Sequence, residues 1–263
     1  MQKFFLSLAT LVALATGSAF AADLPVAPPV YQAPPYVAPP PLYDWRGFYV
    51  GINGGYGLMD PTGSSTCVTP TGLGCDQLNA NTLRPGGGVA GAQVGYNWQT
   101  GLIAYGVETD LQWAGIKMTS TVTDLCCNSA PPAFVTPGTY TATTSLDWFG
   151  TARVRAGFAA DQVLFYATGG LIYGGVKVAN FTAWPAGAFA SSANAVHAGW
   201  TAGAGIEGGF TENLTGRVEA LYYDMGTLSS QFTNPAVGGL TVGGTSNFKG
   251  FIARAGLNWK FTH

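Results

Sequence analysis

Residues 102–113 read LIAYGVETDLQW, and the order of residue types in those positions decides the fold. Ile103, Tyr105, Val107, Leu111 and Trp113 share one parity, whereas Glu108, Asp110 and Gln112 share the other. Side chains that switch faces at every residue belong to a β-strand, here a ribbon with one apolar and one charged side. Its length is that of a strand crossing a bilayer, about 9–11 residues. Residues 248–261, FKGFIARAGLNWKF, repeat the pattern: Phe251, Ala255, Leu257, Trp259 and Phe261 oppose Arg254, Gly256, Asn258 and Lys260.

Six further stretches have the same texture. In 46–58, Phe48, Val50, Ile52 and Tyr56 oppose Tyr49, Gly51, Asn53 and Gly55. In 88–98, Val94, Tyr96 and Trp98 oppose Gln93, Gly95 and Asn97. In 144–158, Leu146, Trp148, Val154, Ala156 and Phe158 are set against Asp147, Thr151, Arg153 and Arg155. Residues 163–175 alternate poorly and leave their facing open. Trp200, Ala202, Ala204, Ile206 and Phe210 oppose Thr201 and Glu207 in 198–210, and Leu214, Val218, Ala220 and Tyr222 oppose Arg217 and Glu219 in 214–223.

The connections strictly alternate. Short turns fall at Thr100-Gly101, Ala160-Asp161 and Glu212-Asn213, and long Gly-, Thr-, Ser-, Asn- and Pro-rich stretches fall between them. The expected fold is all-β: an eight-stranded antiparallel up-and-down transmembrane β-barrel with short periplasmic turns and four long extracellular loops. Composition agrees. Hydrophobic residues make up 47% of the chain and charged residues 9%, with 38 glycines and a net charge of -2. So little charge argues against a nucleic-acid partner, and it falls well below the roughly 25% of an ordinary soluble protein.

In a bilayer every backbone N–H and C=O must be paired, so an all-strand protein has to close on itself. The apolar parity then faces lipid. Trp98, Trp113, Trp148, Trp200 and Trp259 lie toward strand ends, where interfacial aromatic girdles belong. The polar parity carries Glu108, Asp110, Asp147, Glu207 and Glu219 together with Arg153, Arg155, Arg217, Arg254 and Lys260. An eight-stranded barrel is filled by side chains, and charges inside it must pair. Those ten residues are therefore expected to form an ion-pair network that plugs the lumen.

Outside the strands the chain carries other signals. Lys3, the apolar run Phe4–Ala15 and Ala19-Phe20-Ala21 form an export signal over 1–21. Residues 22–44 include DLPVAPPVYQAPPYVAPPPLYD, an extended proline-rich tether expected in the periplasm, with the barrel over 45–263. Export makes disulfides possible. A Cys67–Cys75 disulfide would close a short loop; Cys126 and Cys127 are adjacent, a strained geometry for a direct bond, and cross-loop pairs are the alternative, between which the sequence does not choose. With no CxxC pair and no nearby histidine, the cysteines do not read as a metal site. His197 lies near Ser191 and Ser192, with Glu207 ten residues on, but closeness in sequence does not make a triad. No cofactor is expected and the chain reads as a non-enzyme.

One ordered set of motifs resembles a known family. It runs Trp45-Arg46-Gly47-Phe48-Tyr49-Val50-Gly51, Trp148-Phe149-Gly150-Thr151-Ala152-Arg153, Tyr166-Ala167-Thr168-Gly169-Gly170-Leu171, Gly199-Trp200-Thr201-Ala202-Gly203-Ala204-Gly205, Glu219-Ala220-Leu221-Tyr222-Tyr223-Asp224 and Arg254-Ala255-Gly256-Leu257-Asn258-Trp259-Lys260-Phe261. Together these are similar to the small alphaproteobacterial outer-membrane surface antigens, often called porin-like. The resemblance implies an integral outer-membrane barrel in contact with outer-membrane lipids and lipopolysaccharide. It implies roles in envelope integrity and host contact, with weak pore activity or haemin binding in some members; His197 is then the candidate haemin ligand. It also implies recognition by the barrel-assembly machinery through the last strand. The chain ends Phe261-Thr262-His263 rather than on an aromatic, so Phe261 stands in for the terminal signal.

Overall fold

The computed structural model describes residues 43–60, 63–68, 81–82, 85–123, 139–184, 187–234 and 240–261. Eight long strands make the wall: β1 (Gly47–Met59), β4 (Gly86–Thr100), β5 (Ile103–Thr123), β6 (Thr139–Ala160), β7 (Val163–Trp184), β8 (Gly187–Gly209), β9 (Leu214–Asn234) and β10 (Leu240–Phe261). Each pairs antiparallel with the next, and β1 pairs with β10 from Phe48↔Phe261 to Met59↔Gly250, which closes the ring. Two short strands, β2 (Gly63–Val68) and β3 (Asn81–Thr82), extend the sheet beside β10 and β5.

Short turns at 101–102, 161–162 and 210–213 gather at one end. At the other end six strands, β5 to β10, run beyond the expected stretches, and β7 and β8 pair as far as Trp184↔Gly187. Residues 139–144, TYTATT, are nearly all hydroxylated, so they hold a ladder while offering little apolar contrast to read. Pairing of β8 with β9 ends at Trp200↔Asp224; beyond it β8 pairs with β7 and β9 with β10.

The outer face carries two aromatic rings. Phe48 and Tyr56, Tyr105 and Trp113, Phe165 and Tyr173, and Phe251 and Trp259 are each spaced eight residues apart on their strands and exposed. Eight residues span about 27 Å of strand, or roughly 20 Å of height once the strand is tilted. That is the spacing of two interfaces. Trp98 stacks on Tyr105 at 5.8 Å in the short-turn ring, and Trp148–Tyr173 (6.2 Å) and Trp200–Tyr222 (5.3 Å) lie in the hairpin-end ring. Outward Val50, Ile52, Val107, Leu111, Val154, Leu171, Ile206 and Val218 fill the band between and beside them. An apolar belt of this extent has no place in water.

The interior is layered. At the short-turn end Trp45 packs with Ala104, Ala159, Leu164 and Tyr166, covered by Tyr43. Charged and amide side chains fill the middle. Toward the hairpin end lies a dry layer that includes Ile116, Leu146, Phe149, Ile172, Leu221, Tyr223, Phe248 and Ile252. Three irregularities in register sit at this layer, between Trp113 and Ile116, Leu146 and Trp148, and Asn247 and Lys249. The third places Met225 and Gly226 opposite Phe248, with Gly226 at φ 81, a conformation that glycine adopts without strain.

Candidate functional site: the charged layer of the lumen

Eight ionised side chains meet in the barrel's middle. β5 contributes Glu108 and Asp110, β6 Arg153 and Arg155, β8 Glu207, β9 Arg217 and Glu219, and β10 Arg254. Each sits on inward parity because its strand alternates there without interruption. Charge is balanced, four carboxylates against four guanidiniums, and each of these side chains is at most 4% exposed.

Arg153 bonds Glu108, its partner on the adjacent strand, and reaches Asp110 at 3.2 Å and Glu219 across the lumen at 2.9 Å. Arg254 donates to Asp110 at 2.9 Å and, through Nη2, lies 2.7 Å from Glu219. Arg217 is the register partner of Glu207, yet its Nη1 goes to Glu108. Glu207 is instead held by Arg155 at 2.6 Å. These crossings tie β5 and β6 to β9 and β10 through the middle of the barrel, so the octet is a strut between opposite walls.

Neutral groups supply further bonds, while Asp110 Oδ1, Arg217 Nε and Nη2 and Arg254 Nη1 are buried without a partner among the described residues. Tyr49 donates to Glu108 (2.7 Å), Tyr166 to Glu219 (2.9 Å), Thr151 to Asp110 (2.8 Å) and Asn258 to Glu207 (2.8 Å). Arg155 lies over the Tyr166 ring, 4.1 Å from its centroid. The two tyrosines fit because glycines face them: a Cβ on Gly95 would stand 2.4 Å from the Tyr49 ring, and one on Gly205 2.5 Å from the Tyr166 hydroxyl. Tyr49 was legible from its parity. Tyr166 was not assigned, because 163–175 gave no clear facing.

Two members of the expected network lie elsewhere. Asp147 is exposed, left unpaired by the irregularity between Leu146 and Trp148. The extra residue inverts facing on one side of it, so Leu146 turns inward and is fully buried rather than facing lipid. Lys260 points inward but at the mouth, where Nζ donates to the Asp44 carbonyl and lies 4.3 Å from the centre of the Tyr43 ring. Tyr43 and Asp44, expected in the tether, are thus packed against the mouth. The Tyr43 hydroxyl donates to the Thr211 carbonyl (2.8 Å), and burial pushes its pKa up to about 12. Hydrogen bonds from Arg46 hold the Asp44 carboxyl below its ordinary range.

Trp98, Trp113, Trp148, Trp200 and Trp259 are all exposed on the outer face. His197 points inward opposite Gly174, with Nε2 buried and unpartnered among the described residues. Glu207 lies about 33 Å along the strand from it and is held by Arg155, so the two do not meet. Cys67 lies in β2, paired with Val242; Cys75, Cys126 and Cys127 fall outside the described residues.

A closed antiparallel ring that is apolar outside and ion-paired inside defines a transmembrane β-barrel. The chain belongs to the outer membrane protein β-barrel domain family, whose model matches residues 7–261. The 31 kDa outer-membrane immunogenic protein of Brucella melitensis is 34% identical over 97% of this chain and 98% of its own length. The 22 kDa outer membrane protein of Rhizobium leguminosarum is 32% identical over 70% of this chain and 66% of its own length. Among solved structures, the outer membrane protein OprG from Pseudomonas aeruginosa matches with a TM-score of 0.52 at 14% identity, covering 85% of this chain and all of that one. The protein is therefore an integral outer-membrane β-barrel of the alphaproteobacterial surface-antigen type.

Proposed function

We propose that this barrel is a sealed structural element of the outer membrane, with its long hairpins as the antigenic face. The carrying observation is the buried octet, closed on one side by Trp45 and its neighbours and on the other by the dry layer around Phe149. A solute would have to break paired charges and then pass a layer that is almost wholly apolar; both steps are costly. This favours a plug over a small-solute channel.

In this reading residues 1–21 direct export and the proline-rich segment tethers the barrel on the periplasmic side, the side of the short turns. Phe261, exposed at the end of β10, is the aromatic presented to the assembly machinery. The immunogenic character named for the Brucella relatives fits surface-exposed hairpins. Reconstitution in a planar bilayer tests the plug. The expected trace has no reproducible conductance steps; regular steps from heat-modifiable, folded protein would refute the sealed lumen.

A further inference from the structure

Nearly every cation among the described residues has a partner. The four lumen arginines share the octet, Arg46 pairs with Asp44 (2.8 Å), Lys249 with Asp60 (3.5 Å), and Lys260 donates to the Asp44 carbonyl. Lys117 and Lys177 have no carboxylate partner among the described residues, and both are exposed. They are also neighbours. Lys117 pairs in register with Ser145, and Ser145 with Lys177, so the two lysines flank β6 with about 10 Å between their Cα atoms. Asp147, exposed at the nearby irregularity, makes no ion pair with either.

Their height is informative. Tyr173 of the hairpin-end aromatic ring is four residues below Lys177, about 13 Å along the strand and roughly 10 Å in height. That is beyond hydrocarbon and within reach of the headgroup layer for a flexible lysine stem. Above the lysines the outward side chains become hydroxylated, with Thr119 and Thr143 3.3 Å apart and Thr121 and Thr141 3.4 Å apart. A groove of about 390 Å³ lies there, lined by Thr141, Thr143, Lys177, Phe181 and Ser192 among others. Two unpaired ammonium groups, a row of hydroxyls and an exposed aromatic ring, set directly above a membrane girdle, match a phosphorylated sugar whose acyl chains continue down the barrel wall.

We propose that Lys117 and Lys177, with the hydroxyl-lined groove beside them, hold the phosphorylated sugar headgroup of the outer leaflet's glycolipid. A solvated lysine pair would need neither the groove nor this height. The assignment rests on the reading that the hairpin end faces outward. That reading is tested separately, by antibody access on intact cells to an epitope tag inserted between residues 185 and 186.

Full-length folded protein in detergent would be titrated with deep-rough lipopolysaccharide, with the same glycolipid after removal of its phosphates, and with inorganic phosphate as competitor. The Lys117→Gln/Lys177→Gln variant is expected to bind the glycolipid at least about tenfold more weakly, and the dephosphorylated glycolipid should bind the unaltered protein just as weakly. Lys249→Gln, which removes a paired cation, should bind normally, and heat-modifiable migration verifies folding of each variant. Unchanged affinity in the double variant, indifference to the lipid's phosphates, or full displacement by millimolar inorganic phosphate would each overturn the proposal. A hidden tag with intact binding in detergent would refute the orientation alone.

Discussion

At the scale of single residues, the octet and the outer pairs differ in what burial does to a charge. Arg254 holds Asp110 and Glu219 at a site closed to water. Replacing it by methionine leaves its carboxylate partners one cation short where solvent cannot compensate, a loss of about 3–5 kcal/mol. Arg254→Met is therefore expected to lower the urea midpoint at which the compact electrophoretic form disappears. Arg46→Met removes an ion pair in open solvent and should leave that midpoint unchanged. The members of this layer were legible in the sequence because Glu108, Asp110, Arg153, Arg155, Glu207, Arg217, Glu219 and Arg254 share inward parity. Who pairs with whom was not: Glu207 and Arg217 are register partners, yet each bonds more closely elsewhere. Side-chain length across a narrow lumen decides that, and parity says nothing of reach.

At the scale of the strand, one extra residue sets the facing of everything beyond it. Along β6, alternation runs cleanly from Phe158 to Phe149, then Asp147 is inserted and Leu146 continues inward. Deleting Asp147 restores strict alternation and keeps Leu146 inward, because Leu146 then adjoins the outward Trp148 and still pairs with Val176. Leu146→Ala, which empties the same place in the dry layer, is expected to cost about 2–5 kcal/mol, read as a drop in urea midpoint, and the deletion should cost much less. A deletion that lowered the midpoint as far as Leu146→Ala would mean that the extra residue is itself needed to seat Leu146. The long extensions of β5–β10 escaped the sequence for a different reason. Beyond the girdle both faces meet water, so there is no apolar–polar contrast for parity to detect, although the ladder continues.

At the scale of the whole molecule, the two faces of the ring make opposite demands at adjacent positions. Val218 lies outward, midway between Leu214 and Tyr222, and is 64% exposed on the closed ring; Arg217 beside it is buried in the octet. Placing a second arginine one residue along, in Val218→Arg, puts an unpaired charge at the depth where hydrocarbon is least forgiving, a loss of about 2–4 kcal/mol in the bilayer. Gln162→Arg, at an exposed turn, should cost little. Folding yield and urea midpoint in vesicles of increasing acyl-chain length separate membrane burial from mere crowding: the Val218→Arg defect should deepen as the bilayer thickens, and the Gln162→Arg protein should track the unaltered one. Detergent micelles, which deform around a charge, should narrow the gap. A Val218→Arg protein as stable as its parent in thick bilayers would mean that this wall does not meet lipid.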